Sequence, residues 1–487
     1  MRVLFITAEA APFAKVGGLG DVVAAGSLPS ALRRLGVDAR VMLPLYGTIN
    51  REKFNIRHLL TFALPRPNGV AEVKVYTTER DGLPFYFIES WPFFWQEKDV
   101  YQDYDHDIPR FVFFNQAALA AAWHLGQVND WTPDVLHVND WHTGIIPFFV
   151  KESLTKGDLT WQKTRTVLSI HNMAYQGGFV STWMMQQGIP PRDHPNLTAL
   201  NLGDNLLAIS IAYSDLVTTV SPRHAQELQH TYLGYGLDQL LRMRGDNILG
   251  ILNGIDTVQF NPATDPHIRH NYDPTTFVEQ RALNKAVLQT EVALALDPNI
   301  PIVGVVSRIV WQKGFDFAAP ALHDLLESRK VQLVVLGTGE ADLCDELEAL
   351  QVAFPDQARV YITYDAGFAQ RIYAGCDIFL MPSHYEPCGI GQMVAMRYGA
   401  LPLVRDTGGL ADTVENYDNA EGAHGTGFVF EAENSSELLQ TLYLALETYI
   451  DRPQAWQRMQ ARAMQRDFSW QRSAEAYQTL YTTLLGG

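Results

Sequence analysis

The chain has 487 residues, of which 47% are apolar and 19% charged, a globular mixture long enough for several domains, which excludes disorder, collagen and coiled coil. Acidic residues outnumber basic ones by 54 to 37, and a net charge of −17 repels phosphodiester backbones and anionic lipid, so neither nucleic acid nor a membrane is expected as a partner. Three scattered cysteines exclude a disulfide framework and fit a cytoplasmic protein, and no apolar run reaches the ~18 residues of a membrane span.

In chain order, short apolar runs bounded by Gly, Pro, Asn or Asp predict strands. They are VLFITA from Val3, ARVMLPL from Ala39, AEVKVY, LPFYFIES, VLHVND from Val135, RTVLSIHN from Arg165 and LVTTVS from Leu216. The first is cut short by Glu9, so the opening MRVLFITAEA reads as a strand rather than a signal peptide. A helical pattern runs from Asp21 through Leu35, and another, RFVFFNQAALAAAWHLG, has Gly126 as a plausible C-cap. The stretch Asn253 to Asp297, rich in Pro, Asp and Asn, is the best candidate for a crossing between domains. From Pro301 the alternation restarts with PIVGVVSR, VQLVVLGTG, ARVYITY, DIFLMPS, LPLVRD and GTGFVFE. Strand–helix alternation appearing twice predicts an α/β chain with two doubly wound parallel sheets and a cleft between them, with the chemistry in the loops after strands.

Three such loops stand out. Lys15-Val-Gly17-Gly18-Leu-Gly-Asp21 follows the first strand, and its glycines let backbone N–H groups approach an anion, although a tight turn with an exposed lysine has the same appearance. Arg308 and Lys313, five apart after PIVGVV, suit a pyrophosphate, a fork beside a point charge; solvated surface cations are the commoner fate of such a pair. Glu386-Pro-Cys388-Gly389-Ile390-Gly391 offers a carboxylate for hydroxyls and free amides for a phosphate, with Cys388 by itself reading as a packed thiol. Asp140, His171 and Asn172 close two further strands, where a lone histidine is more often structural. The acidic run Asp103, Asp105, Asp107 resembles a metal-binding D-x-D, but it precedes a helix and lacks a second ligand cluster, so no metal site is expected.

Together K-V-G-G-L-G-D, H-V-N-D-W-H-T, S-I-H-N-M-A-Y-Q-G, L-N-G-I-D, S-R-I-V-W-Q-K-G, E-P-C-G and T-G-G-L-A-D-T-V, in this order over nearly the whole chain, resemble the bacterial glycogen synthases and plant starch synthases. The resemblance implies a GT-B fold of two facing Rossmann-like domains, 1–250 on the acceptor side and 251–487 on the nucleotide-sugar side, with the last helix a candidate to cross back. It implies glucose transfer from ADP-glucose to the non-reducing end of an α-1,4-glucan with retention of configuration, and no cofactor. On the same ground Lys15 and Gly18 belong to the nucleotide-sugar loop, with Asp21, Asp140, His171 and Asn172 beside the transferred glucose. The resemblance likewise implies that Arg308 and Lys313 form the distal-phosphate clamp and Glu386, Cys388, Gly389 and Ile390 the glucose loop. It further implies that Tyr364 stacks on adenine and that Asn253 lies near the site.

Two departures from the family pattern are visible. Gly391 stands where a threonine is usual, and the first helix is two residues longer before Pro29. No acid/base pair for double displacement is evident, which favours same-face substitution, with Arg308, Lys313 and the Gly17 and Gly18 amides stabilising the leaving diphosphate. Lys313 and Glu386 are predicted to line a cleft rather than a core. The alternatives are a GT-B transferase using UDP-glucose or another acceptor, and a non-catalytic glucan-binding relative. The sequence leaves the oligomeric state open.

Overall fold

Strands covered on both faces must be apolar on both, and β1 (Arg2–Ile6) meets this with four successive buried residues. A computed structural model describes residues 1–95, 99–418 and 423–486. It divides into two compact units, Met1–Gly254 with Trp470–Gly487, and Ile255–Ser469. The passages between units are Gly254/Ile255 and Ser469/Trp470.

In unit 1, β1 is joined by β2 (Asp38–Pro44), β3 (Arg57–Arg66), β4 (Gly69–Arg80), β5 (Leu83–Glu89), β6 (Val135–Asn139), β7 (Arg165–Ile170), β8 (Leu216–Thr219) and β9 (Ile248–Gly250). The sheet order is β3-β4-β5-β2-β1-β6-β7-β8-β9. Val3 pairs in parallel with Ala39 on one side and Val135 on the other. The expectation of an all-parallel sheet fails at one edge, where β3, β4 and β5 form antiparallel pairs. The turns Pro67–Asn68 and Asp81–Gly82 are too short for a crossover helix, so antiparallel pairing follows.

Two helix predictions need correction. The pattern from Asp21 to Leu35 is two helices, Gly18–Val22 and Leu28–Arg34. Gly26 at φ +88° breaks it, and the Ser27 hydroxyl donates to the carbonyls of Val22 and Ala24 at 2.7 Å each, closing the first helix. The extra residues before Pro29 are thus taken up in a turn. The helix Tyr104–Asn129 runs past Gly126 and stops with Asp130 in the left-handed region. Its N-cap is Asp103, which accepts from the His106 amide, while Asp107 pairs with buried Arg110; the acidic run is a helix start.

The helix Trp470–Leu484 completes unit 1. Tyr481 and Tyr477 are buried beneath the sheet, with the Tyr481 hydroxyl 2.5 Å from His137 Nδ1.

Unit 2 carries β10 (Ile302–Ile309), β11 (Gln332–Gly339), β12 (Ala358–Ile362), β13 (Ile378–Met381), β14 (Leu401–Arg405) and β15 (Phe428–Phe430), all parallel, in the order β12-β11-β10-β13-β14-β15. Sheet order reverses between β10 and β13, the crevice position where doubly wound sheets take ligands. The stretch predicted as a crossing is mostly part of this unit and includes the helix Phe277–Glu291. Among the described residues no helix is long and apolar enough to cross a membrane.

Candidate active site

Two groups of side chains, one in each unit, collect at the carboxyl ends of strands. In unit 1 the loop after β1 folds around a carboxylate that the motifs did not single out. Glu9 is buried, and its Oε2 accepts from the amides of Val16 at 2.6 Å and Gly17 at 2.8 Å. The Tyr101 hydroxyl donates to Oε1 at 2.6 Å. A Cβ on Gly20 would lie 3.1 Å from Glu9 Oε2 and from Lys15 Cγ, so any larger residue there would press on both side chains. The expectation that the Gly17 amide faces a substrate phosphate is therefore corrected: an internal carboxylate occupies it. Gly18 opens the following helix with open space about its Cα, and Lys15 pairs with Asp21 at 2.7 Å, both partly exposed.

Asp140, after β6, is held at φ +54° and ψ −171°, a backbone state that costs a non-glycine residue on the order of 1–3 kcal/mol and clusters at functional positions. Its Oδ1 accepts from the amides of His171 at 2.7 Å and Asn172 at 3.4 Å, which fixes the turn after β7. Burial pushes the Asp140 carboxyl up to about 7, against the lowering effect of these two amides, with the Glu9 charge adding to the rise. Burial pushes the His171 imidazole down to about 4. The His171 tautomer follows from its neighbours. Asn139 Nδ2 donates to the Ile6 carbonyl, so Oδ1 is the atom facing His171 Nε2 at 2.9 Å, and Nε2 must carry the proton. Nδ1 is left as an acceptor.

His142, also unmarked by the sequence reading, is buried against Tyr101 and Trp141 with ring centroids 5.0 Å and 4.1 Å away. Burial holds its pKa near 3. Asn253 is half-buried at the end of the unit's long segment.

In unit 2, Lys313 and Glu386 meet. Lys313 ends the short turn after β10, and Gly314 at φ +73° turns the chain into the helix Phe315–Ser328, where a Cβ would stand 2.3 Å from the Pro382 carbonyl. Lys313 Nζ lies 2.5 Å from Glu386 Oε2, which also accepts from the Ser383 hydroxyl at 3.1 Å. The two side chains are 15% and 7% exposed, so the pair is largely shielded from water. Glu386 Oε1 has no hydrogen-bond partner among the described residues. Arg308 is exposed at the end of β10 and forms no ion pair among the described residues, while Tyr364, after β12, is 84% exposed.

The segment after Glu386 is shaped by close backbone approach. Gly409 donates to the Glu386 carbonyl at 3.0 Å, and a Cβ there would collide with the Cys388 carbonyl at 2.0 Å. Gly389 has φ +71°, Ile390 caps the helix Gly391–Arg397, and buried Gln392 donates to the carbonyls of Cys388 and Gly389. At Gly391 a Cβ would stand 3.0 Å from Phe379 and 3.3 Å from the Met381 sulfur, so the missing threonine has a steric reason.

The family model for the starch synthase catalytic domain matches residues 2–243, and that for group 1 glycosyl transferases matches 289–463. A glycogen synthase of Clostridium perfringens is 41% identical over all of this chain and 98% of its own length. The chain belongs to the glycogen synthase family. A glycogen synthase of Streptococcus sanguinis is 42% identical with both chains fully covered. The catalytic domain of starch synthase IV from Arabidopsis thaliana, solved with ADP and acarbose, superposes with a TM-score of 0.86 at 33% identity, covering 100% of this chain and 99% of that one. The fold is accordingly GT-B and the function that of a glycogen synthase, a glucosyltransferase.

Proposed function

We propose that the donor is ADP-glucose, that the acceptor is the non-reducing end of an α-1,4-glucan, and that transfer proceeds by same-face substitution with retention. The observation that carries this is the Lys313–Glu386 pair at the crevice position of the unit 2 sheet. A lysine has three N–H donors and the carboxylate uses one, so Lys313 can serve a diphosphate without leaving Glu386. Glu386 in turn keeps Oε1 for sugar hydroxyls. Arg308, charged and exposed, supplies the second cation, and Tyr364 an open aromatic face for the base. The ADP bound to the plant enzyme supports the choice of base.

As the C1–O bond lengthens, negative charge grows on the leaving diphosphate, and Lys313 and Arg308 stabilise it. The glucosyl ring becomes cationic, and the leaving phosphate oxygen takes the proton of the incoming 4-hydroxyl. The part of the diphosphate clamp first assigned to Gly17 falls to Gly18 and Lys15, since Glu9 holds the Gly17 amide. Neutral His171, with Nδ1 free to accept, orients a glucose hydroxyl and does not compete as a cation. Asp140 shapes the His171–Asn172 turn, and Asp21 keeps Lys15 extended. Cys388, Gly389, Ile390 and Gly391 form the backbone wall around the sugar, and Asn253 contributes a further polar group. Two cations in place of a metal imply transfer without Mg²⁺.

Radiolabelled ADP-glucose and UDP-glucose, each given with glycogen and EDTA, test the reading. Label should enter precipitable glucan from ADP-glucose despite the chelator. Transfer at least tenfold faster from UDP-glucose would overturn the donor assignment, and loss of synthesis in EDTA restored by Mg²⁺ would overturn the metal-free clamp.

A further inference from the structure

Lys313 and Glu386 sit on different loops, 2.5 Å apart, and further contacts tie those loops together. His384, two residues before Glu386, joins the two loops. Its ring is buried and lies flat on Trp311 of the Lys313 loop, 4.3 Å between centroids and 16° from parallel, with the edge of Phe317 at 5.1 Å. Its amide donates to the Gln312 carbonyl at 3.0 Å, and the Gln312 side chain returns a bond to the Tyr385 carbonyl at 3.2 Å.

Both ring nitrogens are engaged by carboxylates. Nε2 is 2.9 Å from Asp316 Oδ1 on the helix that follows Lys313, and Nδ1 is 2.9 Å from Glu433 Oε2 after β15. Both ring nitrogens thus lie within hydrogen-bond distance of a carboxylate oxygen, one on each side of the ring. Arg405, at the end of β14, closes the assembly. It donates to the carbonyls of Ser383 and His384 and pairs with Glu433 at 3.2 Å.

We infer that His384 is a positioning residue for glucosyl transfer, setting the separation between Lys313 and Glu386 by clamping their loops together without touching the substrate. The inference rests on the reading of that pair given above. Leucine or phenylalanine in the same space would fill the volume against Trp311 but could not bind Asp316 and Glu433. Arginine offers a flat stacking surface with N–H groups on two sides, so it is the replacement that keeps the joint.

The test is a double-mutant cycle on the full-length protein, with kcat and KM for ADP-glucose measured on glycogen and ADP affinity by calorimetry. His384→Ala should lower kcat about tenfold or more in the wild-type background and by less than twofold further in a Lys313→Ala background, because the histidine acts through that pair. His384→Arg should recover most of the loss. A folded His384→Ala protein with wild-type kcat overturns the inference, and so does an equal loss of kcat in both backgrounds, which is the signature of general destabilisation. Should His384→Ala fail to fold, the Asp316→Asn/Glu433→Gln protein decides: lowered kcat supports the joint and wild-type kcat overturns it. If the wild type elongates glycogen while these variants match it, only this inference falls. If the wild type transfers from neither nucleotide sugar, the reading beneath it falls and takes the inference with it.

Discussion

Removing Lys313 should cost stability as well as turnover. Glu386 is 5% exposed, and without the ammonium its charge would retain only the Ser383 hydroxyl as a side-chain partner. Breaking a buried pair from one side costs about 3–5 kcal/mol, and the surviving hydroxyl bond places Lys313→Met at the low end, about 3 kcal/mol. Glu386→Gln leaves an ammonium that is 15% exposed on a flexible stem able to reach water, so about 2 kcal/mol is expected. The double variant buries no orphan charge and should lose no more than either single one, giving a coupling energy on the order of 3 kcal/mol. Urea unfolding followed by fluorescence, with midpoints converted through the slope, measures it. A coupling under about 0.5 kcal/mol, the size of an exposed ion pair, would refute the claim that this pair is desolvated. In parallel, Lys313→Ala should lower turnover on the order of 10²-fold, the loss seen when one donor to a developing anion is removed.

Acid should destabilise the protein below about pH 6.5. His137, His142 and His171 are held neutral with values near 3, 3 and 4, so the unfolded chain takes up protons first and stability falls as pH drops from 6.5 toward 4. Asp140, raised to about 7, works the other way between pH 4 and 7, stabilising at the acid end. Near pH 5 the balance is three protons against one, a slope of about 2.7 kcal/mol per pH unit, and a flat stability profile from pH 4 to 6.5 would contradict it. Asp140→Asn keeps an acceptor for the His171 and Asn172 amides and removes a charge that costs about 4 kcal/mol when ionised, so it should be more stable than wild type at pH 8 and close to it near pH 4; equal stability at pH 8 would show that the carboxylate is not strained by burial. Gly391→Thr should lose about 1–3 kcal/mol by crowding Phe379 and Met381, read as a lowered thermal midpoint without gain in ADP affinity.

Strand positions in unit 2 were legible because most are apolar runs with successive buried residues, as in β11, β13 and β14. Strand β3 was not. Its sequence RHLLTFALPR is half-exposed, and neither its charges nor its proline mark an antiparallel edge in advance. Gly126 looked like a helix stop, yet it faces Thr132, where a Cβ would sit 3.0 Å from the hydroxyl, so glycine answers a tertiary demand there. The strand-end motifs led to Lys313, Glu386, Asp140 and His171. Glu9 escaped because its partner Tyr101 is 92 residues away, and the one local signal was an acid closing an apolar strand. His384 escaped for the same reason: Trp311, Asp316 and Glu433 assemble only once β10, β13, β14 and β15 are joined in one sheet.

The order in which the chain is written matters for unit 1. Its last piece, Trp470–Leu484, arrives after all of unit 2 has been made, yet Tyr477 and Tyr481 cover His137 and Ser169 in the middle of the first sheet. During synthesis His137 and Ser169 lack these two partners while more than two hundred further residues emerge, Ile255 through Ser469. Unit 2, by contrast, is continuous in sequence and has all its strands as soon as it leaves the ribosome. The unit synthesised first is thus the one that must wait, and a chain truncated before Trp470 would pair a finished second unit with an unsealed first one, open to chaperones and to proteases.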